Sequence, residues 1–267
     1  MKRKCGKPMQ SEKRLYNILF FCIVALFVAS TAFTRYNPFE VFFNLENFRS
    51  FIVDDFFPPA LPTGLKLEAI FQGILTTICM ALSATTVAAL LAFLTSLFAS
   101  KRVSPAAWSP KFVRGFATFL RNIPALVWAF ILFSSLGIGT GVGFVALCIS
   151  SYAFMVRAFS ETIDDISQDN LESLQAAGAS FIQVVFHGIL PSCLRGFISW
   201  FLYCIEVNLR SSTVVGMVGG GGIGLVLLSY LKGFKYNMSF TIILAIAVMV
   251  LFVDALTNYL RKELDLE

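Results

Sequence analysis

The chain has 267 residues, 57% of them hydrophobic and 14% charged, with 29 phenylalanines and a formal net charge of +5. Ordinary soluble domains carry about 25% charged residues, and here the charges gather at the ends of long uncharged runs, which excludes a soluble globular domain. Basic residues at the ends of apolar runs leave a nucleic-acid partner little support and make the lipid bilayer the natural one.

A span needs about 20 apolar residues. The runs Leu15 to Thr34, Ala69 to Ser100 and Asn122 to Val156 supply four spans, because the third is broken by Gly137-Ile138-Gly139-Thr140-Gly141. A fifth and sixth fall at Cys193–Val215 and Met238–Tyr259. The expectation is an all-α integral membrane protein of six transmembrane helices. The first run is longer than the apolar core of a cleaved signal, about 7–15 residues, and no small-x-small cleavage site follows it. Lys2, Arg3, Lys4, Lys7, Lys13 and Arg14 before it stand against the single acid Glu12. The Lys101–Arg114 loop is basic and has no acid, whereas the Arg35–Glu68 loop is net acidic. Positive charge stays inside, so both termini are expected in the cytosol.

The six cysteines lie mostly in or beside apolar spans and none has CxxC spacing, so no metal or disulfide is expected. In the outer loop, Phe39, Phe42, Phe43, Phe48 and Phe51 have spacings compatible with a helix at the membrane boundary or a lid over the bundle rim. The second span is uncharged for 32 residues, about 48 Å as a helix, so it must tilt, project or bend. Its threonines, serines and alanines suit close helix contact. The third span holds Arg121-Asn122-Ile123-Pro124, read as an anchoring arginine and a proline kink, or as a gating element.

The fifth span carries Glu206, Asn208 and Arg210. Charge at membrane depth costs about 2.5–3.5 kcal/mol or more. Glu206 and Arg210 are four residues apart and can pair; Asn208 points roughly opposite. The set is either a self-neutralising pair or the lining of an anion pathway. Gly216, Gly219, Gly221, Gly222 and Gly224 follow. Their formal GxGxxG match is rejected as a dinucleotide site, because a membrane helix precedes it in place of a strand. The glycines instead let the backbone turn sharply or let helices approach, with a short helix over Leu225 to Phe234.

Between the fourth and fifth spans lies a polar insert. Leu171 to Ala177 is a good helix former, Gly178 a helix stop, Ser180 a cap for a second short helix to Gly188, and Pro191 its end. This cytosolic knob resembles the coupling loop of ABC-importer permeases at Glu172, Gly178, Leu190 and Pro191. Ser173 and Leu174 replace that pattern's two alanines, and Gly188 stands where isoleucine is usual. Arg121-Asn-Ile-Pro-Ala-Leu-Val-Trp-Ala129 and Glu206-Val-Asn-Leu-Arg210 with Gly216 to Gly224 are similar to segments of the phosphonate-type permeases, except that Gly220 replaces an alanine.

The resemblance implies a methionine-importer-permease-like core. It also implies a homodimer or paired permease, two separate ATP-binding subunits that hold ATP and Mg, and a periplasmic or lipoprotein substrate-binding protein. The implied site is the bacterial inner membrane, and the implied cargo a phosphonate or a phosphite- or phosphate-like anion moved by alternating access. The chain itself has no GxxxxGK[ST] segment and needs no cofactor. The organisation expected is a basic cytosolic tail over 1–14, a first span with aromatic outer loop over 15–66, a five-helix domain over 67–260 carrying the coupling loop 160–192, and a cytosolic tail over 261–267. Alternatives are an importer permease for another small solute, and a secondary transporter or channel, although no inverted repeat is visible. An intramembrane enzyme lacks a catalytic set, since His187 is the single histidine and no HExxH or GxSxG occurs.

Overall fold

Proline, glycine and the apolar runs set where helices begin and end. The computed structural model describes residues 10–35, 44–165 and 178–264, and no strand occurs among them. Phe39, Phe42, Phe43, Glu172 and the expected helix Leu171 to Ala177 lie outside the described residues.

The chain divides into two units, Met1–Phe57 and Pro58–Glu267. In the first, helix α1 (Gln10–Thr34) shows apolar side chains on every side, as suits a helix whose solvent is lipid. A short helix α2 (Leu45–Ser50) continues through a wide π turn, Phe51–Phe56, with Phe48 and Phe51 outward.

The second unit is built around α3 (Leu65–Ala99) and α6 (Thr140–Asp164). Lipid tails are as apolar as leucine, so helices associate here by close packing and hydrogen bonds. Accordingly α3 buries a stripe of small residues: Gly73, Thr77, Ala81, Ala84, Ala88, Ala92 and Ser96. Thr77 and Thr85 satisfy their own hydroxyls on the Gly73 and Ala81 carbonyls, at 2.8 and 2.7 Å. Onto this pair pack α4 (Ser109–Arg121), α5 (Ala125–Leu136), α7 (Leu190–Val215), α8 (Gly222–Lys232) and α9 (Tyr236–Glu263).

Among the described residues five helices are long and apolar enough to cross a membrane, and a sixth span results if α4 and α5 count as one. That pair corrects the expected third span. Arg121 and Pro124 do not lie inside a kinked helix: α4 ends at Arg121, α5 begins after Pro124, and the two are bent by 82°. Proline has no N–H and disfavours helical geometry in the residue before it, and Pro124 itself is extended at φ −57°, ψ 147°.

Pro191 departs from expectation in the opposite sense. The helix does not end there. It runs from Phe181 through a π turn at Val184–Ile189 and on into α7. A widened turn absorbs a missing backbone donor without breaking the helix. The short helix after the glycine segment starts at Gly222, earlier than its apolar run, because Gly221 takes the turn at φ +79°.

Candidate functional site

The fifth span separates its three polar residues onto two faces. Asn208 is 3% exposed and faces inward. Its amide nitrogen donates to the Thr85 and Ser151 hydroxyls, each at 2.7 Å, so one carboxamide joins α3, α6 and α7. It is therefore a helix junction, and the structure does not bring it together with Glu206 and Arg210.

On the other face Arg210 donates to Glu206 one turn back. The Glu206 side chain is 19% exposed and the Arg210 side chain 53%. The structure adds a group that sequence reasoning missed: Arg261, near the end of α9, lies 3.8 Å from the second Glu206 oxygen. One carboxylate thus stands between two guanidinium groups from different helices. Asp254, two turns before Arg261, has one oxygen buried with no hydrogen-bond partner among the described residues, and so do two Arg261 nitrogens. Asp254 was a legible signal, a lone acid inside the sixth apolar run. Arg261 was not, because its partner lies 55 residues away in sequence and no local pattern links the two.

The glycine segment packs against α3 and α6. After α7 the chain makes a π turn, Gly216–Gly220, and reverses at Gly219 and Gly221, both in the left-handed region. The Gly139 N–H donates to the Gly219 carbonyl at 2.9 Å, and the Ile223 N–H to Thr77 Oγ1 at 2.8 Å, which pins the turn between α6 and α3. A Cβ on Gly143 would stand 2.5 Å from the Gly220 oxygen, so only glycine permits that approach. Near this contact, Thr76, Cys79, Met80, Ser83, Thr140 and Phe144 line an open cleft of about 630 Å³. Gly216 and Gly224 are in backbone contact with one another's turns, and Gly222 lies against Thr77. The five glycines therefore serve both of the expected roles, sharp reversal and close approach.

The described part of the knob starts at Gly178, in the left-handed region at φ +79°. The Ser180 N–H donates to Gln183 Oε1 at 2.8 Å, one half of a capping box. Val184, Val185 and Ile189 are buried against Met155, Phe159 and Ile163 of α6, while Phe181, Ile182 and Phe186 point outward. Leu190 is half-buried and Pro191 exposed at the start of α7. An apolar prow is thus packed on the C-terminal half of α6 and leads directly into α7.

Apolar helices long enough to cross a bilayer, small-residue packing between them and a buried polar junction define a multi-pass membrane protein. The model of the family described as the binding-protein-dependent transport system inner membrane component matches residues 84–265. The chain belongs to this family, and is a permease component of the ABC importers. It is 32% identical, over 72% of its length and 70% of the relative's, to the phosphite transport system permease protein PtxC of Stutzerimonas stutzeri. It is 26% identical, over 73% of its length and 37% of the relative's, to the phosphate-import permease protein PhnE of Mycolicibacterium smegmatis. Its fold matches that of a chain in the MetNI methionine ABC transporter in an inward-facing form, with a TM-score of 0.68 and 18% identity, over 76% of this chain and 99% of that one. The methionine-importer-like core and the kinship read from Arg121 to Gly224 are both borne out.

Proposed function

We propose that this permease carries a phosphite, phosphonate or phosphate-like anion across the bacterial inner membrane, with both termini in the cytosol. The observation that carries the cargo reading is its similarity to permeases named for phosphite and phosphate import. A half-exposed guanidinium at Arg210 within the fifth span supports it physically. A multiply charged oxyanion in a low-dielectric path needs fixed donors. Glu206 beside Arg210 keeps that contact weak enough for release.

The energy comes from elsewhere. Two separate ATP-binding subunits hold ATP and Mg, and an external binding protein delivers cargo to a paired permease. The prow at Phe181, Ile182 and Phe186, preceded by the Gly178 turn, docks in a cleft of each ATPase, with Glu172 a polar contact there. Because Val184, Val185 and Ile189 anchor the prow to α6, and α7 continues it without a break, closure of the ATPases moves the spans directly. The π turn holds all three anchors, and Pro191 next to it fixes the hinge to the fifth span.

The test is reconstitution of the complex into proteoliposomes with phosphite, methylphosphonate, phosphate and methionine as cargo. ATP-dependent uptake of one of the phosphorus oxyanions is expected, and Glu172→Arg is expected to abolish co-purification of the ATPase. Transport by the chain without any ATPase would overturn the importer reading. ATP-driven uptake of methionine alone would overturn the cargo and leave the rest.

A further inference from the structure

Helix α4 has an exposed aromatic face. Trp108, Phe112, Phe116 and Phe119 recur at spacings of four, four and three, on one side of the helix, and all are exposed. The opposite side, at Pro110 and Ala117, packs on the bundle. The bend of 82° before α5 turns α4 away from the direction of its neighbour in the span. A helix whose exposed side is aromatic, with exposed Lys111 beside that stripe and a spanning segment at about right angles to it, has the chemistry of one lying in the membrane boundary.

At its start is a second, independent feature. Lys101, Ser104, Pro110, Lys111 and Arg114 line a pocket of about 260 Å³. Its floor is preformed. Ser104 and Ser109 are hydrogen-bonded to each other, and the Ser109 hydroxyl also donates to the Phe98 carbonyl at 3.2 Å. Arg114 is committed, donating to Asp164 at 2.5 Å and to the Ala99 carbonyl at 2.7 Å. Asp164 is committed in turn, accepting also from the Ser100 hydroxyl at 2.6 Å and the Lys101 N–H at 3.0 Å. That pair cancels its own charge. Lys101 and Lys111 remain, exposed, with no ion-pair partner among the described residues. No acid occurs in the sequence from Ser100 to Leu136.

We propose that this pocket is a headgroup site for an anionic phospholipid. Lys101 and Lys111 hold the phosphate, Ser104 lies within the same pocket, and the acyl chains lie along Trp108, Phe112 and Phe116. Charge complementarity selects this occupant: a second copy would bring lysine against lysine, and a neutral lipid would leave both unpaired. The aromatic stripe beside the pocket places the lysines at phosphate height.

The experiment is native mass spectrometry of the full-length chain released from vesicles of phosphatidylcholine with 30% phosphatidylglycerol. A lysine beside an anionic surface contributes about fivefold in affinity, so Lys101→Gln with Lys111→Gln should weaken phosphatidylglycerol retention about thirtyfold at low salt. Lys232→Gln with Lys235→Gln, elsewhere on the chain, should leave it unchanged. Retention by the first double variant equal to wild type would overturn the site. Displacement of the lipid by millimolar inorganic phosphate would assign the pocket to a free ion, and displacement by the ATPase subunits would assign the face to protein. Both would overturn the proposal. Should the double variant fold poorly, the wild type suffices. Brominated phosphatidylglycerol should quench tryptophan fluorescence more than brominated phosphatidylcholine, the difference vanishing in high salt, and equal quenching by both would refute the site.

Discussion

Replacing Asn208 by alanine separates two roles for the fifth span. The carboxamide makes two hydrogen bonds of 2.7 Å, to Thr85 and Ser151, from a position only 3% exposed. Hydrogen bonds between helices in a membrane contribute about 0.6 kcal/mol each, so losing both costs about 1 kcal/mol. The void left among packed helices adds on the order of 1 kcal/mol. The sum, about 2 kcal/mol, is about a thirtyfold change in the unfolding equilibrium. Reversible unfolding of the purified chain in mixed micelles, titrated with dodecyl sulfate, would read it. A double-mutant cycle with Thr85→Val should show a coupling of about 0.5 kcal/mol. The ratio of phosphite to phosphate uptake should be the same in Asn208→Ala as in wild type. Unchanged stability together with an altered cargo ratio would refute the junction and return Asn208 to the pathway.

Asp164→Asn removes the charged partner of Arg114 at the joined ends of α3, α4 and α6, and a loss of about 1–3 kcal/mol is expected in the same titration. Gly143→Ala drives a Cβ to 2.5 Å from the Gly220 oxygen and 2.6 Å from the Met80 sulfur, so a loss of about 1–3 kcal/mol is expected. Gly141→Ala, with nothing within 4 Å, should change stability by less than about 0.5 kcal/mol, and equal effects at the two glycines would refute the close approach. Arg210→Gln should reduce anion uptake while leaving thermal stability nearly unchanged, since Arg261 still faces Glu206. An unchanged transport rate and substrate choice would remove Arg210 from the pathway.

Membrane residence, the approximate limits of the apolar helices and the family were legible along the chain, because they depend on local quantities. Run length against bilayer thickness places a span wherever it sits in the fold. Glycine acts on its own backbone, so Gly178 and Gly221 could be read as turns in place. What lay beyond local reading was the outcome of competition between neighbours. Pro124 splits its span by 82° whereas Pro191 is carried through in a π turn, and only the packing of Val184, Val185 and Ile189 on α6 decides the second case. Asn208 and Arg210 are two residues apart and looked like one site. The tertiary structure divides them, because a helix turns about 200° over two residues and different partners stand on its two sides. Glu206 shows the same limit most clearly: its neighbour Arg210 follows from helical spacing, but Arg261 reaches it only because α9 packs back along α7. Sequence periodicity determines what a helix can present, and the fold determines what stands opposite.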